Sequence, residues 1–351
     1  MRLNADGVDA ARVLTERRQA IAERVTSLYF EARPQLEQRW KGARRKCTED
    51  NRFHLDYLAE ALSFGHPPLF TEYVAWAAAL LARLNIDGET LAFNLELLRT
   101  TLGVELDGAG GALASEYLDA ALRKIEGALP ELPSYIDGTA ALDILARDFL
   151  AALLRGERHT ASNLILAEAD RGTSVRDIYL HVFQRVLREV GRLWHSNQIG
   201  VAKEHYCTAC TQLIMSQLYP RIFSDVRNGR RLVSTAVGGD LHEIGVRMVS
   251  DFFEMAGWDT FYLGANTPLS ATLEQVAERK PHVLAISATM SFHVHAVADL
   301  IAAARAAGNP PRILVGGAPF NSVPELWEEV GADGYARDAA EALVVAGGWC
   351  A

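Results

Sequence analysis

Short apolar runs alternate with helical stretches from Arg231 onward, and this alternation constrains the fold of the chain more than any other feature. The apolar runs cover residues 231–239, 260–264, 282–289 and 312–317, and helical stretches of ten or more residues separate them. Strands that alternate with helices of this length form a parallel sheet with helices on its faces. The runs are almost wholly apolar, which is typical of strands covered on both sides. We therefore predict a parallel α/β domain over residues 230–351.

The preceding sequence has helical periodicity throughout. Apolar residues recur at three- and four-residue steps before residue 130 and again over 174–196. The segment Leu129–Ser134 contains two prolines among polar residues, which favours a linker. We predict three domains: a helical bundle over 1–130, a second helical bundle over 138–225 and the α/β domain over 230–351. The expected fold class is α and α/β, and the C-terminal sheet is expected to be Rossmann-like (flavodoxin-like).

Composition excludes several classes of protein. The 351 residues, 49% of them hydrophobic, provide room for two or three buried cores. Four cysteines without regular spacing exclude a disulfide framework and indicate a reducing compartment. No apolar run reaches the ~18 residues that a spanning helix requires. A net charge of −9 argues against direct DNA binding and against attachment to an anionic membrane. We expect a cytoplasmic protein.

The loop after the first predicted strand contains an Asp-x-His pair, Asp240 and His242. It lies at the carboxyl edge of the sheet, where open α/β folds bind ligands. A histidine here could bind a metal through one ring nitrogen while Asp240 accepts a hydrogen bond from the other. The alternative is an exposed loop histidine beside a helix cap, since aspartate is a preferred cap residue.

Three features together resemble the signature of corrinoid proteins that bind cobalamin base-off and His-on. They are D-x-H-x-x-G at 240–245, Ser-Ala-Thr at 287–289 and Gly-Gly at 316–317. The resemblance implies that His242 is the lower axial cobalt ligand and that the displaced nucleotide tail enters a slot in the domain. Thr289 stands where the family pattern has leucine. The cofactor-binding residues implied in this domain are Asp240, Leu241, His242, Gly245, Ser287, Thr289, Gly316 and Gly317.

The second helical bundle contains Trp194 and, after nine intervening residues, Glu204-His205. Taken singly, these residues suit a core aromatic and an exposed helix face. As a set, they resemble the cap motif of the CarH/LitR class of cobalamin photoreceptors, from about residue 139 to the C-terminus. The resemblance implies a four-helix cap over adenosylcobalamin, with Trp194, Glu204 and His205 at the adenosyl group. It also implies that His195 becomes the upper cobalt ligand after illumination. In contrast, Cys207 and Cys210 are predicted to be small buried residues rather than a metal or redox site.

The N-terminal region has no recognisable DNA-binding helix, but aromatic residues and histidines lie close to a cationic cluster. In this respect the chain resembles the photocobilins, which combine cobalamin with a bilin. The resemblance implies a biliverdin-type ligand, with His54 or His66 at its pyrrole nitrogens and Arg44, Arg45 or Lys46 at its propionates. The aromatic residues predicted to surround it are Trp40, Tyr57, Phe70, Tyr73 and Trp76. Cys47 could attach a bilin, although its spacing does not favour this. The alternative is a ligand-free interaction domain.

The function expected from these resemblances is that of a light sensor rather than an enzyme. Photolysis of adenosylcobalamin would change the conformation or the oligomeric state, and the signal would pass to a protein partner; we expect a homo-oligomer. The principal alternative is a corrinoid methyl-carrier protein of a methyltransferase system. A third hypothesis is a regulator that binds cobalamin only as a ligand.

Overall fold

The computed structural model describes residues 5–38, 41–83, 86–125, 133–138, 140, 142–223 and 226–349. They form two compact units. The first comprises the described residues of Met1–Pro130 together with Met290–His295 and Ala318–Val330. The second comprises those of Glu131–Thr289, Ala296–Gly317 and Gly331–Ala351. Most of the predicted linker, residues 129–132, and Trp40 lie outside the described residues.

The first unit is built mainly from N-terminal helices. They are α1 (Ala5–Ala32), α2 (Pro34–Glu37), α3 (Ala43–Phe64), α4 (Pro68–Arg83), α5 (Gly88–Glu105) and α6 (Gly108–Ile125). The helix α3 ends at Phe64 and is followed by Gly65, whose φ of +71° lies in the left-handed region that glycine adopts at low cost. Pro67 and Pro68 follow, and Pro68 is the first residue of α4. At the start of α5, the Asp87 side chain accepts a hydrogen bond from the Thr90 backbone N–H at 2.8 Å.

The second unit begins with a helical bundle. Its helices are α7 (Asp143–Arg155), α8 (Arg158–Asp170), α9 (Val175–Asp177), α10 (Gln184–His195) and α11 (Val201–Leu218). A π-helical segment, Ile178–Phe183, joins α9 to α10, so the helix predicted over 174–196 contains one wider turn. The core of the bundle includes Phe149, Tyr179 and Phe183, which are fully buried.

The C-terminal part contains a five-stranded sheet with helices between the strands. Its elements are β1 (Arg231–Ala236), α12 (Ile244–Glu254), β2 (Asp259–Tyr262), α13 (Leu269–Arg279), β3 (Val283–Ser287), α14 (Val294–Arg305), β4 (Arg312–Gly316), α15 (Ala318–Ser322), α16 (Leu326–Glu329), β5 (Gly334–Tyr335) and α17 (Ala339–Gly348). The strand order is β2-β1-β3-β4-β5 and every pairing is parallel, which confirms the flavodoxin-like α/β prediction. The sequence does not predict the two-residue strand β5, because it is too short to show a pattern.

Strand register brings the predicted motif loops together. Ala236 at the end of β1 pairs with Ser287 at the end of β3, and Ser287 pairs with Gly316 at the end of β4. The loops that follow these three strands therefore leave the sheet side by side at its carboxyl edge. None of the described helices combines the length and the apolar character that crossing a membrane requires.

Candidate functional site

Asp240 is the buried centre of the loop after β1. Its side chain is fully buried and accepts three N–H groups: the backbone N–H and the ring Nδ1–H of His242, and the backbone N–H of Thr289. Burial raises the pKa of Asp240, but the hydrogen bonds from His242 and Thr289 outweigh it, and the net pKa lies below the ordinary value. Asp240 is therefore an anion that connects the loops after β1 and β3.

His242 presents one ring nitrogen for coordination. Its Nδ1 lies 2.8 Å from Asp240 Oδ1, and since a carboxylate only accepts hydrogen bonds, Nδ1 carries the proton. Nε2 has no hydrogen-bond partner among the described residues, and 55% of the side chain is exposed. The hydrogen bond to Asp240 is the main cause that raises the pKa of His242; burial opposes it, and the charges of Asp240 and Glu204 add to the rise. An oriented imidazole with a free Nε2 fits the predicted axial cobalt ligand.

The residues beside His242 leave room for a large ligand. Leu241 is 74% exposed, and a Cβ added at Gly245 would have no atom within 4 Å. Gly317 is required for another reason. Its φ is +110°, and a Cβ there would lie 1.9 Å from the carbonyl oxygen of Ala288. Close packing of the chain on itself therefore explains this glycine, independently of any nucleotide tail. Ser287 and Gly316 pair at the ends of β3 and β4, and Thr289 follows two residues after β3.

The predicted cap residues lie on both sides of the turn between α10 and α11. Trp194 is partly buried and His195 is buried at the end of α10. Glu204, in the first turn of α11, accepts hydrogen bonds from His205 and from the Thr208 hydroxyl at 2.9 Å. The helix α11 also contacts the loop that contains the predicted cobalt ligand, because Gln212 on α11 donates a hydrogen bond to Glu243, the residue after His242.

Sequence reasoning missed a set of polar residues on α12 and at its start. Glu243, Arg247 and Asp251 recur at four-residue steps, and each is hydrogen-bonded to the helical bundle. Their partners are Gln212 for Glu243, Ser216 for Arg247 and Tyr179 for Asp251. The four-residue spacing was the available signal, but the sequence did not indicate the partners.

The residues predicted to surround a bilin form one cluster in part. His54 Nδ1 lies 2.9 Å from the Tyr73 hydroxyl, and the Tyr57 ring stacks on Tyr73 with a centroid distance of 3.6 Å. The Trp76 ring also stacks on Tyr73, with a centroid distance of 6.1 Å. Burial lowers the pKa of His54 to about 4, so its imidazole is neutral at pH 7.

Three other predicted bilin residues contact carboxylates instead. Arg44 pairs with Glu37, Arg45 with Glu49, and His66 Nε2 lies 2.9 Å from Glu329. Burial raises the pKa of Cys47 to about 11, so the thiol stays protonated and is a poor nucleophile. Cys207 and Cys210 are buried free cysteines, as predicted.

Comparison with known proteins identifies two domain types in the chain. Residues 230–344 match a family model described as a B12 binding domain, and residues 145–219 match a second model with the same description. Both ranges follow the N-terminal helices.

Sequence relatives include corrinoid proteins of Methanosarcina species. The chain is 32% identical to dimethylamine corrinoid protein 3 of Methanosarcina acetivorans over 118 residues, which is 33% of this chain and 54% of that protein. It is 30% identical to dimethylamine corrinoid protein 3 of Methanosarcina mazei over 118 residues, 33% of this chain and 69% of that protein. The trimethylamine corrinoid protein of Methanosarcina barkeri is 32% identical over 120 residues, 32% of this chain and 54% of that protein. The chain thus spans about half the length of several of these relatives.

A solved structure has the same fold over much of the chain. The Methanosarcina barkeri monomethylamine corrinoid protein superposes with a TM-score of 0.53 at 22% identity, covering 59% of this chain and 98% of that chain. These comparisons support cobalamin binding by residues 145–344, whereas the photoreceptor and bilin predictions find no support in them.

Proposed function

Since this chain belongs to the B12-binding family of corrinoid proteins, we propose that it holds cobalamin base-off with His242 as the lower axial ligand. The observation that carries this proposal is the 2.8 Å hydrogen bond from His242 Nδ1–H to buried Asp240, which leaves Nε2 without a partner among the described residues. Asp240 fixes the tautomer and orientation of the ring and makes it a stronger ligand. Thr289 in turn fixes Asp240 through its backbone N–H.

The predicted cofactor-binding residues divide into three groups by the part of the cofactor that they would contact. Asp240, His242 and Gly245 belong to the lower side, and Ser287, Thr289, Gly316 and Gly317 would border the nucleotide tail. Trp194, His195, Glu204 and His205 would cover the upper side. When bound, cobalamin supplies a cobalt–carbon bond that a methyltransferase can form and break or that visible light can cleave.

The first candidate function is that of a corrinoid methyl carrier. The named sequence relatives are dimethylamine and trimethylamine corrinoid proteins, which favours this function over the light sensor. In this role the chain is a carrier rather than a catalyst, and a separate methyltransferase is its partner. The helical bundle would then exclude water from the upper side of the cofactor while the methyltransferase is not bound.

The second candidate function is that of an adenosylcobalamin light sensor, and a specific observation favours it. Trp194 and His195 end α10, and Glu204 lies in the first turn of α11. The helix α11 is hydrogen-bonded through Gln212 to Glu243, the residue after His242. Loss of the adenosyl group would remove a contact of Trp194 and free a site for the His195 imidazole. The conformation or oligomeric state of a homo-oligomer would then change, and this change would carry the signal to a protein partner.

Reconstitution in the dark with methylcobalamin and with adenosylcobalamin, followed by green light, separates the two functions. A light sensor forms a stable photoproduct whose absorption spectrum changes in His195→Ala. A carrier gives up the methyl group of bound methylcobalamin to the acceptor substrate of a methyltransferase. The rate of this transfer should be the same in wild type, in His195→Ala and in the exposed-site control His159→Ala. Failure of the wild-type chain to bind either cobalamin would refute the whole proposal.

The light-sensor function includes a bilin such as biliverdin in the N-terminal bundle. Support comes from the stacked Tyr57, Tyr73 and Trp76 rings with neutral His54 beside them. Arg44, Arg45 and His66 are already paired with carboxylates and would have to exchange these partners. Protein expressed with biliverdin should show a long-wavelength absorption band; absence of that band would remove the bilin from the proposal.

A further inference from the structure

Glu243 directly follows His242, and its side chain joins three separate elements. One carboxylate oxygen accepts a hydrogen bond from Gln212 Nε2 on α11, and the other accepts one from the Tyr262 hydroxyl of β2 at 3.0 Å. The backbone of Glu243 continues into α12. The carboxylate therefore connects the helical bundle and the sheet at the residue next to the predicted cobalt ligand.

The side chain of Glu243 does not cap its own helix, α12. Glu243 occupies the N-cap position of α12, yet its side chain accepts no hydrogen bond from the first backbone N–H groups of that helix. Both oxygens point to other elements, and hydrogen bonds to an ionised acceptor are stronger than neutral ones. Helix capping therefore does not account for this glutamate.

One face of α11 contains a series of polar residues, two of which are hydrogen-bonded to Glu243 and to α12. Glu204, Thr208, Gln212 and Ser216 are spaced four residues apart, so they lie along one face of the helix. Thr208 donates to Glu204, Gln212 donates to Glu243, and Ser216 accepts from Arg247 at 3.0 Å. Displacement of α11 would therefore break the hydrogen bond from Gln212 to Glu243.

We propose that Glu243 is a positioning residue that couples the placement of the cap helix α11 to the orientation of the His242 loop. The inference rests on the proposed function, because His242 must be the lower ligand for this coupling to matter. Its consequence is regulation of the lower ligand from the upper side: moving α11 away loosens residues 240–245. The hydrogen bond from Tyr262 links Glu243 to the sheet, whereas the hydrogen bond from Gln212 links it to α11. Only the bond from Gln212 therefore depends on the position of the cap helix.

Hydrogen exchange of the protein without cofactor tests the coupling. In Gln212→Leu, the amides of residues 240–245 should exchange at least about threefold faster, which corresponds to loss of one modest hydrogen bond. Tyr262→Phe should have the same effect on residues 240–245 while leaving α11 as in wild type. Unchanged exchange at 240–245 in Gln212→Leu, with faster exchange in α11, would overturn the proposal.

Dissociation of cobalamin from the full chain provides the second readout. Glu243→Gln retains the size of the side chain but presents an amide N–H₂ to one of the two donors, so the dissociation rate should rise about tenfold. Glu278→Gln makes the same carboxylate-to-amide substitution at an exposed position of α13. It is the matched control and should not change the dissociation rate. Equal rates in Glu243→Gln and Glu278→Gln would overturn the proposal. If wild type binds no cobalamin, the proposed function fails, and the exchange experiment still decides on the coupling.

Discussion

Among single residues, the chemistry of the site depends on how one carboxylate is shared. Asp240 accepts two N–H groups from His242 and one from Thr289, so both of its oxygens are used. A buried anion with three donors is stable as an anion, and it therefore keeps the proton of His242 on Nδ1. The availability of Nε2 follows from Asp240 as much as from His242.

Replacing Asp240 by asparagine should weaken cobalamin binding about 10–100-fold, the usual cost of losing a carboxylate that orients a metal-binding histidine. The reason is that the asparagine amide would place an N–H₂ group against the N–H of Thr289 or of His242. Titration of the protein with aquacobalamin, followed by visible absorption, measures the change. Asp259→Asn on the exposed start of β2 is the control, and equal affinities of the two variants would contradict the role given to Asp240.

His54 should make the first unit sensitive to acid. Burial lowers its pKa to about 4, whereas the unfolded chain has a histidine pKa of about 6.5. Between these values the unfolded chain binds a proton that the folded chain excludes, so the free energy of unfolding falls as the pH drops from 7 to 4. The loss approaches about 3 kcal/mol.

Urea unfolding at pH 7 and pH 5 measures this loss, and His54→Gln should reduce it. His159→Gln, at an exposed histidine on α8, should behave as wild type. A pH dependence in His54→Gln as steep as that of wild type would show that another group causes the acid sensitivity.

Among the helices, α12 belongs to two cores at once. Phe253 packs in the apolar cluster of the sheet, whereas Met248 and Phe252 pack in the core of the helical bundle. Between these apolar contacts, Tyr179 in the π-helical segment donates a hydrogen bond to Asp251 at 2.8 Å. The helix that follows the His242 loop is therefore also the element on which the bundle rests.

Tyr179→Phe should reduce the free energy of unfolding by about 1–3 kcal/mol, because it leaves the buried Asp251 carboxylate without its donor. Burial raises the pKa of Asp251 to about 6, and the Tyr179 hydroxyl opposes that rise. Removing the hydroxyl raises the pKa further, so the destabilisation should be larger at pH 8, where Asp251 is charged, than at pH 5. Denaturant unfolding at both pH values tests this, with the exposed Tyr219→Phe as control; equal losses at pH 5 and pH 8 would contradict the account.

In the molecule as a whole, the first compact unit is not continuous in sequence. Met290–His295 and Ala318–Val330 belong to it together with the N-terminal helices, although the sequence pattern assigns both segments to the α/β domain. Within this unit, buried Glu60 contacts both the ring Nδ1 and the backbone N–H of His295, and the Tyr57 hydroxyl donates to Met290 Sδ at 3.4 Å. Phe292 packs edge-on against Tyr57 at 5.1 Å.

Glu60→Ala should therefore affect residues 290–295, which are far from Glu60 in sequence. We expect faster hydrogen exchange over residues 290–295 and a loss of about 1–3 kcal/mol in the free energy of unfolding, since the N–H of His295 loses its acceptor. Peptide-resolved exchange of the full chain measures the effect. Glu16→Ala on the exposed face of α1 is the control, and unaltered exchange over 290–295 in Glu60→Ala would rule out this contact as a stabilising one.

Local patterns in the sequence were enough to predict the parallel sheet, the strand ends at its carboxyl edge and the Asp240–His242 pair, because each depends on only a few consecutive residues. The partners of Glu243, Asp251 and Glu60 became known only from the folded chain. These hydrogen bonds join residues 31, 72 and 235 positions apart. Periodicity shows which face of a helix is polar, but the partner of a polar side chain is set by how helices pack, which no local pattern contains.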